Sequence, residues 1–206
     1  MTGESTLAAA RRLVAEGAEV VVLNFGSGKN PGGGFLAGAQ AQEESLCRAS
    51  ALYACIKDQP LYGYHQMRND PFYSDRVIHS PAVPVFRDED GTLLDAPFRL
   101  SFLTCPAVNA GLLLERTAGA LPAIEAAMRV RARRVLEVAA AHGHETLVLG
   151  AWGAGVFGNP PEMVAGAFGD ALEGPLEGVF VRVVFAIMDG PTSLARLAFE
   201  RRFPLR

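Results

Sequence analysis

The sequence predicts an α/β fold, a three-layer α/β/α sandwich built on one mainly parallel sheet. Short β-branched runs alternate with helical patterns, which implies right-handed crossovers that cover both faces of such a sheet. Half of the 206 residues are hydrophobic and the mean hydropathy is +0.18, so the chain can bury one sizeable core. No low-complexity linker divides it. We therefore expect one domain over residues 1–206 that begins with a short helix.

The N-terminal part predicts a helix, a strand and a second helix after a glycine-rich loop. Residues 5–16 are rich in Ala, Leu and Arg, and Gly17 is placed to end a helix there. Residues 19–23 are a short β-branched run, which favours a strand. Residues 43–57 carry apolar side chains at i, i+3 and i+4 spacing and predict a helix with one buried face. Residues 58–74 are rich in Tyr, Pro, Gly and Asn, and we interpret them as a loop.

The middle of the chain predicts two strands and a long helix. The apolar runs at residues 76–86 and 98–104 flank an acidic turn, which favours a hairpin or a strand extension. Residues 121–142 form the longest periodic segment and predict a surface helix. Its mostly outward-facing residues are expected to be Arg131, Arg133 and Arg134.

The C-terminal part repeats the order of strand, glycine loop and helix. Residues 145–149 predict a buried strand and lead into a second glycine-rich loop. Asn159 is expected to be the N-cap of a helix over residues 161–172, with Pro160 at the first helical position.

A strand over residues 179–188 and a short helix over residues 193–201 complete the predicted fold. Both glycine loops then follow the carboxyl ends of strands. In open α/β sheets ligands bind at this edge, so we expect the functional site there.

Composition excludes several classes of partner. The net charge of −3 and the pI near 5.8 argue against an extended nucleic-acid surface. The three cysteines, Cys47, Cys55 and Cys105, form no CxxC pair, and no signal peptide or apolar run of membrane length is present. We expect a reduced, cytoplasmic protein with no membrane partner, in which Cys47 and Cys55 pack on one helix face.

The first glycine loop, residues 24–34, contains five glycines and is followed by paired acids. Glycine permits positive φ and a close approach of the backbone to a bulky ligand. Seven residues separate its last glycine from Gln42, which precedes two carboxylates in the first turn of a predicted helix. Such a loop can bind a polar anion and place an acid beside it. The pattern comprises Gly32, Gly33, Gly34, Gln42, Glu43 and Glu44.

Two glycine loops that each lead from a strand to a helix start favour a diphosphate held by backbone N–H groups and helix dipoles. A turn that merely needs positive φ remains the alternative for each loop. Lys29 precedes Asn30 rather than a hydroxyl residue, so the first loop does not match a P-loop. The second loop is expected to contact the ligand through Gly153, Ala154, Gly155, Val156, Phe157 and Gly158.

The adjacent carboxylates favour chemistry at an anomeric carbon. Consecutive helical residues point about 100° apart, so Glu43 and Glu44 cannot flank one glycosidic bond from opposite faces. One carboxylate would then act as acid and base while the other orients the sugar. Favourable acids at a helix N-terminus are the alternative, and the sequence leaves open whether burial or the helix dipole dominates the pKa.

The spacing of Gly-Gly-Gly to Gln-Glu-Glu resembles the signature of poly(ADP-ribose) glycohydrolases, whose catalytic domain is a macrodomain. Further segments look like the microbial branch of that family, so the resemblance covers most of the chain and implies a macrodomain-like mixed sheet. These segments are residues 22–25, 30–31, 104–106 and 150–160.

The resemblance implies roles for individual residues. Glu44 would protonate the leaving oxygen and then activate water as a base, and Glu43 would hydrogen-bond the distal ribose. Phe157 would pack against that ribose, and Asn24 or Asn30 would help to fix it. The glycines of both loops, with Gln42, would complete the binding site for ADP-ribose or an ADP-ribosylated macromolecule. The resemblance implies a monomer that requires no metal and no cofactor.

Two questions stay open at this stage. Only about twenty residues precede the first core strand, fewer than is usual in the microbial family, so removal of single ADP-ribose units from proteins or nucleic acids is as plausible as cleavage of the polymer. A reader that binds ADP-ribose without turnover is the rival function, and Glu44 argues against it. The four histidines are expected to have ordinary structural positions: His65, His79, His142 and His144.

Overall fold

A computed structural model describes residues 1–204 and contains one five-stranded mixed sheet. Its strand order is β2-β3-β1-β4-β5, in which β3, β1, β4 and β5 are parallel and β2 is an antiparallel edge strand. The strands are β1 (Val20–Phe25), β2 (Ile78–Arg87), β3 (Leu93–Cys105), β4 (Thr146–Leu149) and β5 (Arg182–Phe185). The prediction of a mainly parallel sheet is confirmed.

Helices cover both faces of the sheet and give the three predicted layers. They are α1 (Thr6–Ala15), α2 (Gln42–Ala49), α3 (Leu52–Ile56), α4 (Pro60–Arg68), α5 (Ala110–Arg116), α6 (Leu121–Ala141), α7 (Pro161–Leu172) and α8 (Leu194–Arg202). The side chains of strand β1 contribute to a hydrophobic cluster on each face of the sheet. Val21 and Leu23 belong to the cluster that contains residues of α5–α8. The alternate residues Val20 and Val22 enter the cluster with α1–α4. No helix among residues 1–204 has the length and apolar character needed to cross a membrane.

The predicted helix over residues 43–57 is divided at Ser50. The Ser50 hydroxyl donates to the Leu46 carbonyl at 2.7 Å and accepts from the Leu52 amide at 3.2 Å, so it replaces main-chain bonds of a continuous helix. The Ser50 backbone also bridges to Val85 of β2. As a result Cys47 is buried while Cys55 is exposed, and the expectation that they share a face is wrong.

The prediction of a loop over residues 58–74 is also wrong, because α4 occupies much of this segment. Proline is the first residue of α4, and Asn69 ends it with a φ of 47°. Three buried side chains hold this weakly helical sequence in place through tertiary contacts. They are Leu61, Tyr62 and His65.

Two further boundaries differ from the prediction. Pro160, not Asn159, is the N-cap of α7, because the Asn159 amide turns inward and donates to the carbonyls of Val108 and Gly153. Strand β5 is shorter than residues 179–188, since Val179 and Val181 are exposed in the turns before it. Helix α5 and a short 3-10 helix (Phe35–Ala37) were not predicted.

Three of the histidines cluster where α6 ends against β2. The rings of His79 and His142 stack at 3.9 Å, and the Nε2 atoms of His79 and His144 are 2.9 Å apart, so one donates to the other. Burial, with the neighbouring histidine charges, lowers the pKa of His79 to about 4. A neutral His79 joins the end of α6 to the sheet.

Arg131 of α6 is buried, although the periodicity predicted that it faces outward. Its guanidinium contacts the Asp75 carboxylate at 3.0 Å and donates to the carbonyls of Pro106 and Phe72 at 3.2 and 2.7 Å. This side chain therefore fastens the segment after α4 to the carboxyl end of β3. Arg133 and Arg134 are exposed, as predicted.

Arg131→Met is expected to lower the free energy of unfolding by about 3 kcal/mol, because it leaves the Pro106 and Phe72 carbonyls and Asp75 without their donor. Asp75 is 42% exposed, which keeps the loss below that of a fully buried pair. Arg133→Met on the same helix is the matched control, with an expected change within about 0.5 kcal/mol. Urea unfolding compares the two variants, and equal midpoints would contradict the structural role of Arg131.

Candidate active site

Both glycine loops leave the carboxyl edge of the parallel strands. At this edge Asn24 of β1 pairs with Thr104 of β3, and Phe25 pairs with Cys105. The first loop follows β1 and the second follows β4, on neighbouring strands. The site therefore lies at the position that the sequence predicts.

Gln42 fixes the first turn of α2 against β1. Its side-chain Oε1 accepts from the Phe25 amide at 2.9 Å, and its Nε2 donates to the Leu23 carbonyl at 2.8 Å. The side-chain amide thus takes the place of a neighbouring strand over two residues of β1. This contact positions the two glutamates that follow, in addition to the predicted role of Gln42 in ligand binding.

Glu43 is buried, with 3% of its surface exposed, and its carboxylate accepts two hydrogen bonds. Asn24 Nδ2 donates to Oε1 at 3.2 Å, and the Ser27 amide donates to Oε2 at 2.7 Å. Asn24 is itself held by a bond of 3.1 Å to the Thr104 hydroxyl. Burial, opposed by these bonds and reinforced by the nearby Glu44 charge, raises the pKa of Glu43 to about 7. For this residue burial prevails, which the sequence left open.

Glu44 is also buried, at 7% exposure, and its two oxygens differ. Oε1 accepts from the Gly34 amide at 2.8 Å. Oε2 is buried and has no hydrogen-bond partner among the described residues. Buried polar atoms are rarely left without a partner, so this oxygen points to a functional role.

Gly33 brings the backbone of the first loop against both carboxylates. Its φ is 59°, and a Cβ at this position would lie 2.3 Å from Glu44 Oε1 and 3.1 Å from Glu43 Oε2. Only glycine fits this position.

The buried side chains of Trp152 and Asn159 anchor the second loop to the core. Trp152 is fully buried and its indole N–H donates to the Cys105 carbonyl at 3.1 Å, which ties the loop to the end of β3. Asn159 joins the loop to Val108. The exposed part of the loop includes Val156, at 94% exposure, and the half-buried Phe157.

Tyr73 joins the two loops and His65 packs against Tyr73, and sequence reasoning missed both roles. The Tyr73 ring lies against Gly28 of the first loop and 5.9 Å from the Phe157 ring of the second. Its backbone has a φ of 57°, which is unfavourable for a tyrosine. His65 is buried and contacts the Gly28 carbonyl at 2.9 Å. The only signal in the sequence was the aromatic content of a segment that we interpreted as a loop.

One groove of about 2070 Å³ connects the two loops with both glutamates. Sites for small molecules enclose about 300–1,000 Å³, so this groove exceeds what a single nucleotide-sized ligand needs. Asn24 and Gly32 lie behind the groove wall, since Asn24 is fully buried under Glu43 and Gly32 faces Tyr53 and Cys47. The other predicted site residues line the groove: Asn30, Gly33, Gly34, Gln42, Glu43, Glu44, Gly153, Ala154, Gly155, Val156, Phe157 and Gly158.

A family model and several solved structures similar to this chain all belong to one enzyme family. The family model "microbial-type PARG, catalytic domain" matches residues 1–88. The crystal structure of a glutamate-to-alanine mutant of poly(ADP-ribose) glycohydrolase (PARG) from Thermomonospora curvata is similar, with a TM-score of 0.93 and 50% identity over 98% of this chain and 77% of that chain. The same enzyme bound to the inhibitor ADP-HPD gives a TM-score of 0.92 with the same identity and coverage.

PARG from Deinococcus radiodurans in complex with ADP-ribose matches with a TM-score of 0.93 and 47% identity, over 98% of this chain and 82% of that chain. A search of curated proteins gives no match.

Proposed function

Because this chain belongs to the microbial-type poly(ADP-ribose) glycohydrolase family, we propose that it hydrolyses the O-glycosidic bond at C1 of an ADP-ribose unit with Glu44 as acid and base. The chain is an ADP-ribose glycohydrolase, as the family match and the ligand complexes of its structural neighbours support. The assignment of the chemistry to Glu44 depends on one observation, the buried Oε2 atom that lacks a protein partner in a groove between two glycine loops.

The diphosphate would lie between the two loops, where backbone N–H groups and glycine surfaces allow close approach. The distal ribose would then meet Glu43, whose oxygens already accept from Asn24 and Ser27 and retain further acceptor capacity. Phe157, held against Tyr73, would form the wall beside that sugar. This placement puts C1 of the ribose next to Glu44.

In the first step protonated Glu44 would transfer its proton to the oxygen that leaves C1. The C1–O bond breaks, the acceptor departs with its hydroxyl restored, and positive charge develops on the ribose. The resulting Glu44 carboxylate would then take a proton from water as the water oxygen bonds to C1. Free ADP-ribose is the product and Glu44 is protonated again.

A substrate panel tests this proposal. It contains the ADP-ribose polymer, proteins with single ADP-ribose units on Ser or on Glu/Asp, and a modified nucleic acid, each incubated with the purified protein in a chelator. We expect chromatography to detect free ADP-ribose from at least one O-linked substrate. Tight binding of ADP-ribose with no release from any member would instead identify a reader.

A further inference from the structure

Three cations lie together beside the first glycine loop without an acidic partner. We call this set the α4 cationic patch: Lys29, Arg68 and Arg76. Arg68 and Arg76 are exposed and Lys29 is half-buried, and none forms an ion pair within residues 1–204. The nearby acids have other partners, since Asp70 accepts from the Phe72 amide and Asp75 pairs with Arg131.

Neutral groups hold these cations in place. Arg68 donates to the Tyr64 hydroxyl at 3.0 Å, and the Arg76 guanidinium lies 3.5 Å from the centre of the Tyr64 ring. The hydrogen bond from Arg76 and the two arginine charges lower the pKa of Tyr64, which reflects the positive potential of this surface. Lys29 Nζ donates to the Asn69 side chain. Because no carboxylate neutralises it, the patch can attract an anion.

The patch begins next to the catalytic carboxylates. The Ser27 amide donates to Glu43 Oε2 at 2.7 Å, and the Ser27 hydroxyl accepts from the Lys29 amide at 3.3 Å. Gln66 of α4 donates to the Lys29 carbonyl at 2.7 Å, which joins the helix to the same loop. A group attached to C1 of the bound ribose would leave past Glu43 and Glu44, and the same groove is lined by Ser27 and Asn30, which lie on either side of Lys29 in the first loop.

We propose that the α4 cationic patch binds the pyrophosphate of the ADP-ribose unit on the leaving side of the scissile bond. The inference rests on the proposed function and applies where the substrate is the polymer, in which the leaving group is a further ADP-ribose unit. The patch is compact and the chain carries a net charge of −3, which favours one pyrophosphate over the extended phosphate backbone of a nucleic acid.

Binding measurements in a Glu44→Gln background test the patch without cleavage of the ligand. The patch variant carries Lys29→Gln, Arg68→Gln and Arg76→Gln. The matched control carries Arg11→Gln, Arg99→Gln and Arg201→Gln, three exposed arginines that form no ion pair within residues 1–204. Both variants change the net charge equally.

Fluorescence anisotropy should show that the patch variant binds an ADP-ribose oligomer about tenfold more weakly than the control at low salt. The difference should shrink at high salt, and affinity for monomeric ADP-ribose should equal that of the control when only Arg68 and Arg76 are replaced. Arg68→Gln with Arg76→Gln, which leaves the loop unchanged, should retain most of the effect.

Equal oligomer affinity in the patch and control variants would overturn the proposal, as would a loss confined to modified nucleic acid. Loss of monomer binding in the variant with only Arg68→Gln and Arg76→Gln would also count against it, because neither arginine lines the ADP-ribose groove. Failure of the proposed function has a different signature, since the Glu44→Gln background would then still degrade the oligomer.

Discussion

Glu44→Gln is expected to slow release of ADP-ribose by about 100- to 10,000-fold while ADP-ribose still binds. Glutamine has the same shape and keeps an acceptor for the Gly34 amide, which now donates to Oε1 at 2.8 Å. The first loop should therefore keep its position. The amide nitrogen that replaces Oε2 has no acidic proton for the leaving oxygen and is no base for water.

Single-turnover rates measure the chemical step, and calorimetry measures ADP-ribose affinity. Glu162→Gln is the matched control, because Glu162 is an exposed acid in the first turn of another helix, α7. It should turn over substrate at the rate of the unmodified protein. If Glu44→Gln were as active as this control, the assignment of Glu44 as acid and base would be wrong.

Local chemistry explains why the centre of the site could be predicted from the sequence. The signals used were local: the spacing of glycines, acids in a first helical turn, and the order of strand, loop and helix. The structure places Gly33 and Gly34 against Glu43 and Glu44, as that order requires. The β-branched run of β1 likewise predicted a strand, and in the structure its alternate residues enter the two cores. Information of this kind lies in short stretches of sequence.

Contacts between distant residues account for what could not be predicted. Arg131 is buried because Asp75, 56 residues earlier, and two carbonyls converge on it, and no helical periodicity carries that information. The clustering of His79 with His144 joins residues 65 apart. Helix α4 forms because its side chains pack on the core, which overrides a sequence of weak helix formers.

Contacts between distant residues also explain what could not be predicted within the site. Asn24 or Asn30 was expected to help fix the sugar, but Asn24 lies under Glu43 and fixes that carboxylate. Tyr73 connects the two loops and His65 packs against Tyr73, both from a segment without a recognisable pattern. Sequence identified which residues are chemically capable, and tertiary structure decided which of them line the groove and which lie behind its wall.

Gly33→Ala is expected to reduce turnover by about 100-fold, because displacement of a catalytic group by about 1 Å has an effect of that size. The new Cβ would lie 2.3 Å from Glu44 Oε1, closer than any such contact allows, so the carboxylate or the loop must shift. Either shift breaks the hydrogen bond from Gly34 to Glu44. The positive φ of 59° adds strain of about 1 kcal/mol in the loop.

Gly38→Ala separates the effect of backbone strain from the effect of displacing the Glu44 carboxylate or the loop. Gly38 has a φ of 81° in the same connection between β1 and α2, and no atom lies within 4 Å of its Cβ position. This variant should lose about 1 kcal/mol of stability through backbone strain and keep full activity. Initial rates and urea midpoints are compared for both variants. Gly33→Ala could instead lose as much stability as Gly38→Ala and keep full activity. In that case the position of the Glu44 carboxylate against the loop would not matter for turnover, and the catalytic group would have to lie elsewhere in the groove.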